Sequence, residues 1–332
     1  MSQIRLRAVP PLLSLLGLIA SLPLSAASLS RFDPARPPSP QAGPEAVRGT
    51  AQQITRVQIH AADGRRYQLW VAALGAPPRS GYPVMYLLDG HAAIQSLLSA
   101  PATARPTGPV LLVAVGAPGA AYFDVEGRAY DYTPPSEDGR PIFDPRVPSR
   151  RGGGAEAFLA TLQGPVQSAV AARWPLDARH RGLWGHSYGG LFALYVLLRH
   201  GAAFQYYAPT SPSLWWHAPL PRRLAETFTA GDPGASACVR LSNGSAEGRP
   251  GQHPDRSAAH GALPGAGTSA GAPFADGDLY RQLEPVFGRR LHWTVYPGLS
   301  HGETLSASLG PAIRDFSAWS SGAATCDSLQ DK

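Results

Sequence analysis

From residue 54 onward, hydrophobic and polar positions alternate along the chain. Apolar residues alternate with polar ones over 54–59 and again over 67–71, and an Asp-Gly pair at 63–64 separates the two stretches. A period of two is typical of a strand buried on one face, and Asp-Gly is a favoured hairpin turn. This pattern predicts an antiparallel β-hairpin.

Further along the chain, short apolar runs alternate with helical patterns. The unbroken apolar runs at 84–88 and 110–115 suit strands that are buried on both faces of a parallel sheet. Other strands are predicted at 181–184, 204–208, 237–241 and 292–296, and helices at 155–174 (kinked at Pro165), 191–199 and 307–319. Together these elements predict an α/β fold with a mostly parallel central sheet, an antiparallel N-terminal hairpin and helices on both faces.

The first residues have the pattern of a secretion signal. Residues 1–27 combine a short positive start with an uncharged apolar run at 11–24, and small residues follow at 25–28. This pattern predicts cleavage after Ala26 or Ala27. We therefore expect a periplasmic or secreted protein with no stable membrane insertion after the signal is removed.

The rest of the chain suggests one large domain with less regular flanks. Residues 28–50 are rich in proline and predict a linker, and residues 323–332 predict a C-terminal tail. Between them, residues 51–322 form the predicted α/β domain. Within it, residues 243–276 are rich in glycine, alanine, proline and serine, which predicts a flexible insertion.

Charge and cysteine content narrow the possible ligands. The net charge is +6, and Lys332 is the only lysine, so nearly every cation is an arginine, which suits an anionic substrate. Basic residues are not interleaved with aromatic ones in runs, so nucleic acid is not an expected partner. No Cys-x-x-Cys motif or Cys/His cluster predicts a metal site, whereas Cys238 and Cys326 permit one disulfide in an oxidising compartment.

The most informative motif is Gly185-His186-Ser187-Tyr188-Gly189, which lies between a predicted strand and a predicted helix. Gly-x-Ser-x-Gly in this context is the nucleophile elbow of α/β-hydrolases, with the serine on a strained turn. The helix that follows directs its N-terminus at the site and stabilises negative charge. Ser187 is therefore the predicted nucleophile of a serine hydrolase that needs no cofactor.

A serine hydroxyl needs an adjacent base, and in this fold the order along the chain is serine, acid, histidine. His301 lies in a loop after the last predicted strand and is the predicted base. Glu247 is the first carboxylate after the strand at 237–241 and is the predicted acid. Asp255 and a serine-histidine dyad without an acid remain as alternatives.

An oxyanion hole needs two donors aimed at the developing alkoxide. The backbone amide of Tyr188, directly after the nucleophile, is the first predicted donor. The second should come from the loop after the third strand, where Gly90 allows a sharp turn and the amide of His91 is the candidate.

Beyond these motifs, the chain resembles the periplasmic esterases that open trilactone catecholate siderophores such as enterobactin and salmochelin, within the esterase D-like superfamily of α/β-hydrolases. The resemblance extends over about residues 50–320 and rests on the segments 127–134, 185–192 and 211–214, with the Leu-Leu-Asp-Gly turn at 87–90. It implies hydrolysis of the serine ester bonds of such a siderophore, with or without its iron. It also implies that Ser187 and His301 are nucleophile and base.

The resemblance places Arg128 on an arginine that faces the active site, where it could bind an anionic or carbonyl oxygen of the substrate. An ion pair with Asp131 is the alternative role for Arg128. Trp215 is a candidate substrate-binding residue because its ring offers a flat apolar surface to an aromatic group, and Trp216 and Tyr207 offer similar surfaces.

Three functions remain open at the level of sequence. The first is hydrolysis of a small-molecule siderophore ester through an acyl-enzyme on Ser187. The second is acyl transfer to an alcohol, or general carboxylesterase activity, on the same fold. The third is siderophore binding without catalysis, which would require no strained serine.

Overall fold

The computed structural model describes residues 54–100, 106–119, 122–217, 219–247 and 275–329. The predicted signal and linker lie outside these residues, as do Asp255 and most of the predicted insertion at 243–276.

Eight strands form one sheet in the order β1-β2-β4-β3-β7-β8-β9-β10, and β5 pairs with β6 in a separate hairpin. The strands are β1 Thr55–His60, β2 Arg66–Leu74, β3 Tyr82–Leu87, β4 Val110–Gly116, β5 Phe143–Asp144, β6 Val147–Arg151, β7 Leu176–His186, β8 Tyr206–Thr210, β9 Cys238–Gly244 and β10 Leu291–Tyr296. The α-helices are α1 Gly90–Ser99, α2 Val125–Asp131, α3 Ala155–Thr161, α4 Gln167–Ala171, α5 Tyr188–His200, α6 Pro219–Thr227, α7 Asp276–Phe287 and α8 Thr304–Ser320.

Strand directions follow the sequence prediction. The first two strands pair antiparallel, with Thr55 opposite Val71, and β2 also runs antiparallel to β4. All the remaining neighbours in the large sheet are parallel. The prediction of a mostly parallel sheet with an antiparallel N-terminal hairpin is therefore confirmed.

Helices cover both faces of this sheet because its central strands are apolar on both faces. In β4, Leu111, Val113 and Val115 belong to one buried core, while Leu112 and Ala114 belong to the other. The first core packs under α3, α5 and α7, and the second packs under α1 and α8. The central strands of this α/β-hydrolase fold thus have no polar face, as the unbroken runs predict.

The predicted helix at 155–174 is interrupted where the sequence places a proline. Helix α3 ends at Thr161, the turn Leu162–Val166 is π-helical and contains Pro165, and α4 begins at Gln167. Proline has no N–H and its ring clashes with the preceding turn, so a widened turn accommodates it. The irregularity that the sequence predicts at Pro165 is thus a π-helical turn.

Several elements have no counterpart among the sequence predictions. These are α1, α2, α6, α7 and the hairpin of β5 and β6, and β7 is longer than the predicted strand at 181–184. Residues 243 and 244 belong to β9, and α7 begins at Asp276, so both edges of the predicted insertion belong to regular elements.

Cys238 and Cys326 form the disulfide that the sequence permits, with their Cα atoms 5.5 Å apart. The bond joins the start of β9 to the short turn after α8. Cys326 also accepts a hydrogen bond at its backbone carbonyl from Nε2 of His292 in β10, at 2.8 Å. The short turn at Cys326 is therefore fixed to the edge of the sheet.

Candidate active site

Ser187 lies between β7 and α5 in a backbone conformation that non-glycine residues rarely adopt. Its φ is +60° and its ψ is −115°. Such a residue costs on the order of 1–3 kcal/mol and persists only when its surroundings hold it. Here the Ser187 N–H donates to the Thr210 carbonyl at 3.0 Å, and the Ser187 carbonyl accepts from the Ser213 N–H at 3.1 Å.

Glycine at position 185 makes the tight turn possible. A Cβ atom on Gly185 would lie 2.3 Å from the backbone oxygen of Gly189, closer than any real contact allows. Strand and helix therefore approach each other so closely that no side chain fits between them. The result is a half-buried Ser187 side chain held at the carboxyl end of β7.

The loops after two neighbouring strands, β9 and β10, bring an acid and a base to this serine. His301 follows β10, and its Nε2 lies 3.0 Å from Oγ of Ser187. Glu247 follows β9, and its Oε2 lies 3.1 Å from Nδ1 of His301. With Nδ1–H donating to Glu247, Nε2 is left to accept the serine proton, which is the arrangement of a catalytic triad.

Glu247 is itself held by two donors on its other carboxylate oxygen. The Ser211 hydroxyl and the Gly244 N–H each donate to Oε1 at 2.6 Å. Burial alone would raise the pKa of Glu247, but His301, Ser211 and the Gly244 amide outweigh burial and hold that pKa below its usual value. The carboxyl group is therefore ionised at neutral pH and available to orient His301.

The acid loop and the base loop are fixed to each other through their backbones. The Ala246 N–H donates to the Leu299 carbonyl at 3.1 Å. A Cβ atom on Gly244 would lie 2.1 Å from that same Leu299 oxygen, so only glycine permits the approach. The spacing between Glu247 and His301 thus depends on main-chain contacts as well as on their own hydrogen bond.

The backbone carbonyl of His301 is also fixed. Nε2 of His186 lies 2.7 Å from this oxygen, and the Thr304 hydroxyl donates to it at 2.7 Å. Burial lowers the pKa of His186 well below its usual value, and the nearby His301 ring and Arg128 lower it further. His186 is therefore neutral, with its proton on Nε2, and acts as a donor that positions the base.

The two amides predicted for the oxyanion hole lie at helix N-termini. Tyr188 is the first residue of α5, and His91 is the second residue of α1, directly after the turn at Asp89. The first N–H groups of a helix have no partner within the helix and favour negative charge. The ring of His91 stacks on Trp70, with 6.0 Å between ring centroids.

Arg128 holds the turn that carries the His91 amide. Its Nε and Nη2 donate to the two carboxylate oxygens of Asp89 at 2.7 and 2.8 Å, and Nη2 also lies 3.3 Å from the His186 carbonyl. Burial alone would lower the pKa of Arg128, but Asp89 outweighs burial and raises it. One guanidinium thus joins the turn before α1 to the residue before the nucleophile.

The predicted alternative for Arg128, an ion pair with Asp131, is wrong, because Arg128 pairs with Asp89. Asp131 instead accepts a hydrogen bond from the Tyr67 hydroxyl at 2.9 Å and pairs with Arg65. Asp131 lies on the same short helix, α2, as Arg128, but its carboxylate contacts Tyr67 in β2 and Arg65, which precedes that strand. The partner of Arg128 lies 39 residues upstream.

A cavity of about 580 Å³ opens beside this pair, on the His91 side of the site. Arg128 lines it together with Asp89, His91, Tyr122 and Phe123. The cavity is large enough for a small-molecule ligand.

Comparison with known proteins identifies the family of this chain. The family model described as Esterase matches residues 71–249, which is more than half of the chain. This chain belongs to the Esterase family. The match begins within β2 and extends through β9, and it includes Ser187 and Glu247.

Individual relatives of this esterase-family chain are named for siderophores. It is 39% identical over 153 residues to the apo-salmochelin esterase of Escherichia coli O6:H1, covering 45% of this chain and 48% of that protein. It is 31% identical over 179 residues to the ferri-bacillibactin esterase BesA of Bacillus subtilis, covering 51% of this chain and 61% of the relative. The matches therefore span about half to three fifths of these two curated relatives.

A solved structure of the enterobactin hydrolase IroE in complex with DFP has a similar fold. The TM-score is 0.61 and the identity is 27%, and the similarity covers 81% of this chain and 97% of that one. The α/β-hydrolase architecture is therefore shared almost over the whole length of that neighbour.

Of the three aromatic residues considered for substrate binding, two are unsuitable. Tyr207 and Trp216 are fully buried, and the Tyr207 hydroxyl donates to the Gly201 carbonyl at 3.1 Å. Both rings are part of the core under α5, so the suggestion that they face a substrate is wrong. Trp215 is only half-buried and lies near the site, with its ring centroid 5.7 Å from that of Tyr188.

Sequence reasoning assigned no role to several residues that hold the site together. They include Asp89, His186, Ser211, Ser213 and Thr304. Ser213 places its Oγ 3.3 Å from Oγ of Ser187, and Ser211 supports Glu247 from a backbone with φ of +43°. In the sequence, the segment at 211–214 indicates only the family resemblance. The contacts of its two serines with Ser187 and Glu247 form only in the folded chain.

Metal ligation and membrane insertion find no support in the described part of the chain. Within it, no group of three or more His, Cys, Asp or Glu side chains could hold a metal ion. Nor does any described helix have both the length and the apolar character needed to cross a bilayer.

The bidentate pair predicts the effect of Arg128→Gln. The substitution leaves Asp89 buried without its cation, so we expect the free energy of unfolding to fall by about 3–5 kcal/mol. Activity on a siderophore ester and on nitrophenyl acetate should fall together, because the turn that carries the His91 amide loosens. Chemical denaturation and steady-state rates on both esters measure this.

The double variant Arg128→Gln/Asp89→Asn is the matched control, since it removes both charges. It should recover part of the lost stability. A selective loss on the siderophore ester, with unchanged stability of Arg128→Gln, would instead show that Arg128 binds the substrate.

Proposed function

We propose that this protein is a serine hydrolase that opens the ester bonds of a catecholate trilactone siderophore through an acyl-enzyme on Ser187. The single observation that carries the proposal is the chain of contacts from Ser187 to His301 at 3.0 Å and from His301 to Glu247 at 3.1 Å. A carrier protein would have no need of a strained serine aligned with a base and an acid.

In the proposed reaction, Ser187 Oγ attacks the ester carbonyl while Nε2 of His301 takes the serine proton. Glu247 stabilises the imidazolium that forms and keeps the ring in the required orientation. The amides of Tyr188 and His91 donate to the developing alkoxide. His301 then gives its proton to the departing serine hydroxyl of the siderophore.

The acyl-enzyme that remains carries the opened siderophore on Ser187. Water gives a proton to His301 as it attacks this ester, the carbonyl–Oγ bond breaks, and His301 returns the proton to Oγ of Ser187. The product is linear and has a free carboxylate. An alcohol that took the place of water would give acyl transfer on the same residues. The products therefore distinguish hydrolysis from acyl transfer.

The choice of substrate rests on the relatives. Those named for salmochelin, bacillibactin and enterobactin share the fold or the elbow region with this chain. The net charge of +6 favours an anionic ligand such as a catecholate. No cofactor takes part in the proposed reaction, and iron enters only as a possible component of the substrate.

We also propose that the protein works in the periplasm or outside the cell. The Cys238–Cys326 disulfide supports an oxidising compartment, and the N-terminal pattern supports export. The exported chain should begin at Ala27 or Ser28 when its N-terminus is sequenced. An exported protein that keeps Met1 would contradict signal cleavage.

Product analysis with iron-free enterobactin tests the proposed activity. Wild-type protein should yield the linear trimer and shorter serine esters by mass spectrometry, and Ser187→Ala should abolish them because no other oxygen replaces Oγ. Ser306→Ala, which removes an exposed hydroxyl on α8, is the matched control and should keep full activity.

Turnover by a folded Ser187→Ala protein at more than a small fraction of the wild-type rate would refute the role of this serine. Appearance of ester products only when an alcohol is added would identify an acyltransferase.

A further inference from the structure

Two sides of the site could receive the aromatic part of a substrate, and they differ in charge. The cavity beside His91 is lined by three arginines and four carboxylates. Two of those arginines are already paired with carboxylates, Arg128 with Asp89 and Arg65 with Asp131. This side offers no excess of positive charge to an anionic ring.

The other side lies against Tyr188 and is formed by the hairpin of β5 and β6, whose turn carries Arg146. Asp144 fixes this turn from within, because its Oδ1 accepts the Arg146 N–H at 2.8 Å. Its Oδ2 accepts the Tyr188 hydroxyl and lies 3.1 Å from Nη1 of Arg150. One buried carboxylate therefore holds the hairpin turn against the residue that follows the nucleophile.

At this turn the guanidinium of Arg146 stacks on Trp215. Its central carbon lies 3.4 Å from the centroid of the ring, and the arginine is exposed while the tryptophan is half-buried. Trp215 lies two residues after Ser213, whose Oγ is 3.3 Å from Oγ of Ser187. The stacked pair thus places a cation on a ring that also lies 5.7 Å, centroid to centroid, from the ring of Tyr188.

We propose that Arg146 and Trp215 form a subsite for an aryl ring that carries negatively charged oxygens. The subsite rests on the proposed function, since the ring would belong to the ester substrate. The N–H groups of a guanidinium point outward in its own plane, where they can donate to catecholate oxygens. Stacking on Trp215 holds that plane in advance, so less conformational entropy is lost when the ligand binds.

Two small esters that differ only in the two catechol hydroxyl groups test the subsite. They are the methyl esters of N-(2,3-dihydroxybenzoyl)serine, with its catechol ionised, and of N-benzoylserine. Arg146→Gln should raise KM for the dihydroxy ester about tenfold and change kcat less than twofold. The same variant should change neither constant for the benzoyl ester by more than twofold.

Arg140→Gln is the matched control. Arg140 lies just before the same hairpin, its side chain is 85% exposed, and it pairs with Asp138 away from Trp215. It should leave both esters unaffected, whereas Arg146→Lys, which keeps the charge without the planar fork, should lose only part of the affinity. The melting temperature of each variant shows whether the hairpin stays folded.

An equal change on both esters, or no change on either, would overturn the subsite while leaving the esterase proposal standing. If the wild-type protein hydrolyses neither ester, the proposed function fails for these substrates. The subsite is then tested by calorimetry with N-(2,3-dihydroxybenzoyl)serine. Tighter binding to wild type than to Arg146→Gln by about tenfold supports the subsite, and equal binding overturns it.

Discussion

The strained backbone of Ser187 is the constraint on which the rest of the site depends. Its φ is +60°, and the residue lies directly at the carboxyl end of β7. That conformation is stable only because glycine at 185 lets α5 approach the strand. Hydrogen bonds from the Ser187 backbone to Thr210 and Ser213 then link the turn to the end of β8. Nucleophile and sheet are therefore one rigid unit, and the strain is offset by packing elsewhere.

Parallel strand direction explains why the other groups reach this serine. The carboxyl ends of β3, β7, β8, β9 and β10 all lie along one edge of the sheet, so the loops that follow them converge. His91 lies at the start of the helix after β3, and Glu247 and His301 lie in the loops after β9 and β10. The acid is held by Ser211 and Gly244 and the base by His186 and Thr304, so each group keeps its orientation through contacts outside the triad.

Local patterns in the sequence were sufficient for some parts of this arrangement. Ser187 could be identified because the elbow depends on residues within a few positions of it. The positions of His301 and Glu247 followed from strand order, although counting along the chain could not separate Glu247 from Asp255. The apolar runs at 84–88 and 110–115 predicted the parallel sheet, because strands covered on both faces have no polar side.

Other parts depend on contacts between distant residues and were not predictable. Asp131 lies three residues after Arg128 on the same helix, yet the partner of Arg128 is Asp89, brought near by the sheet. The hairpin of β5 and β6 is too short to show a period, and it is held by Asp144 through Tyr188. Whether Tyr207 is buried or exposed depends on which helices cover β8, which composition does not reveal.

The central claim is that Glu247, acting through His301, activates Ser187. Pre-steady-state release of nitrophenol from nitrophenyl acetate measures acylation directly, and peptide mass mapping locates the acyl group. The account predicts one acetyl group, on Ser187, and an acylation rate that falls by at least about a hundredfold in Glu247→Gln, or roughly 2.7 kcal/mol of barrier. An acyl group on another residue, or a loss of less than about tenfold in a variant that melts like wild type, would contradict it.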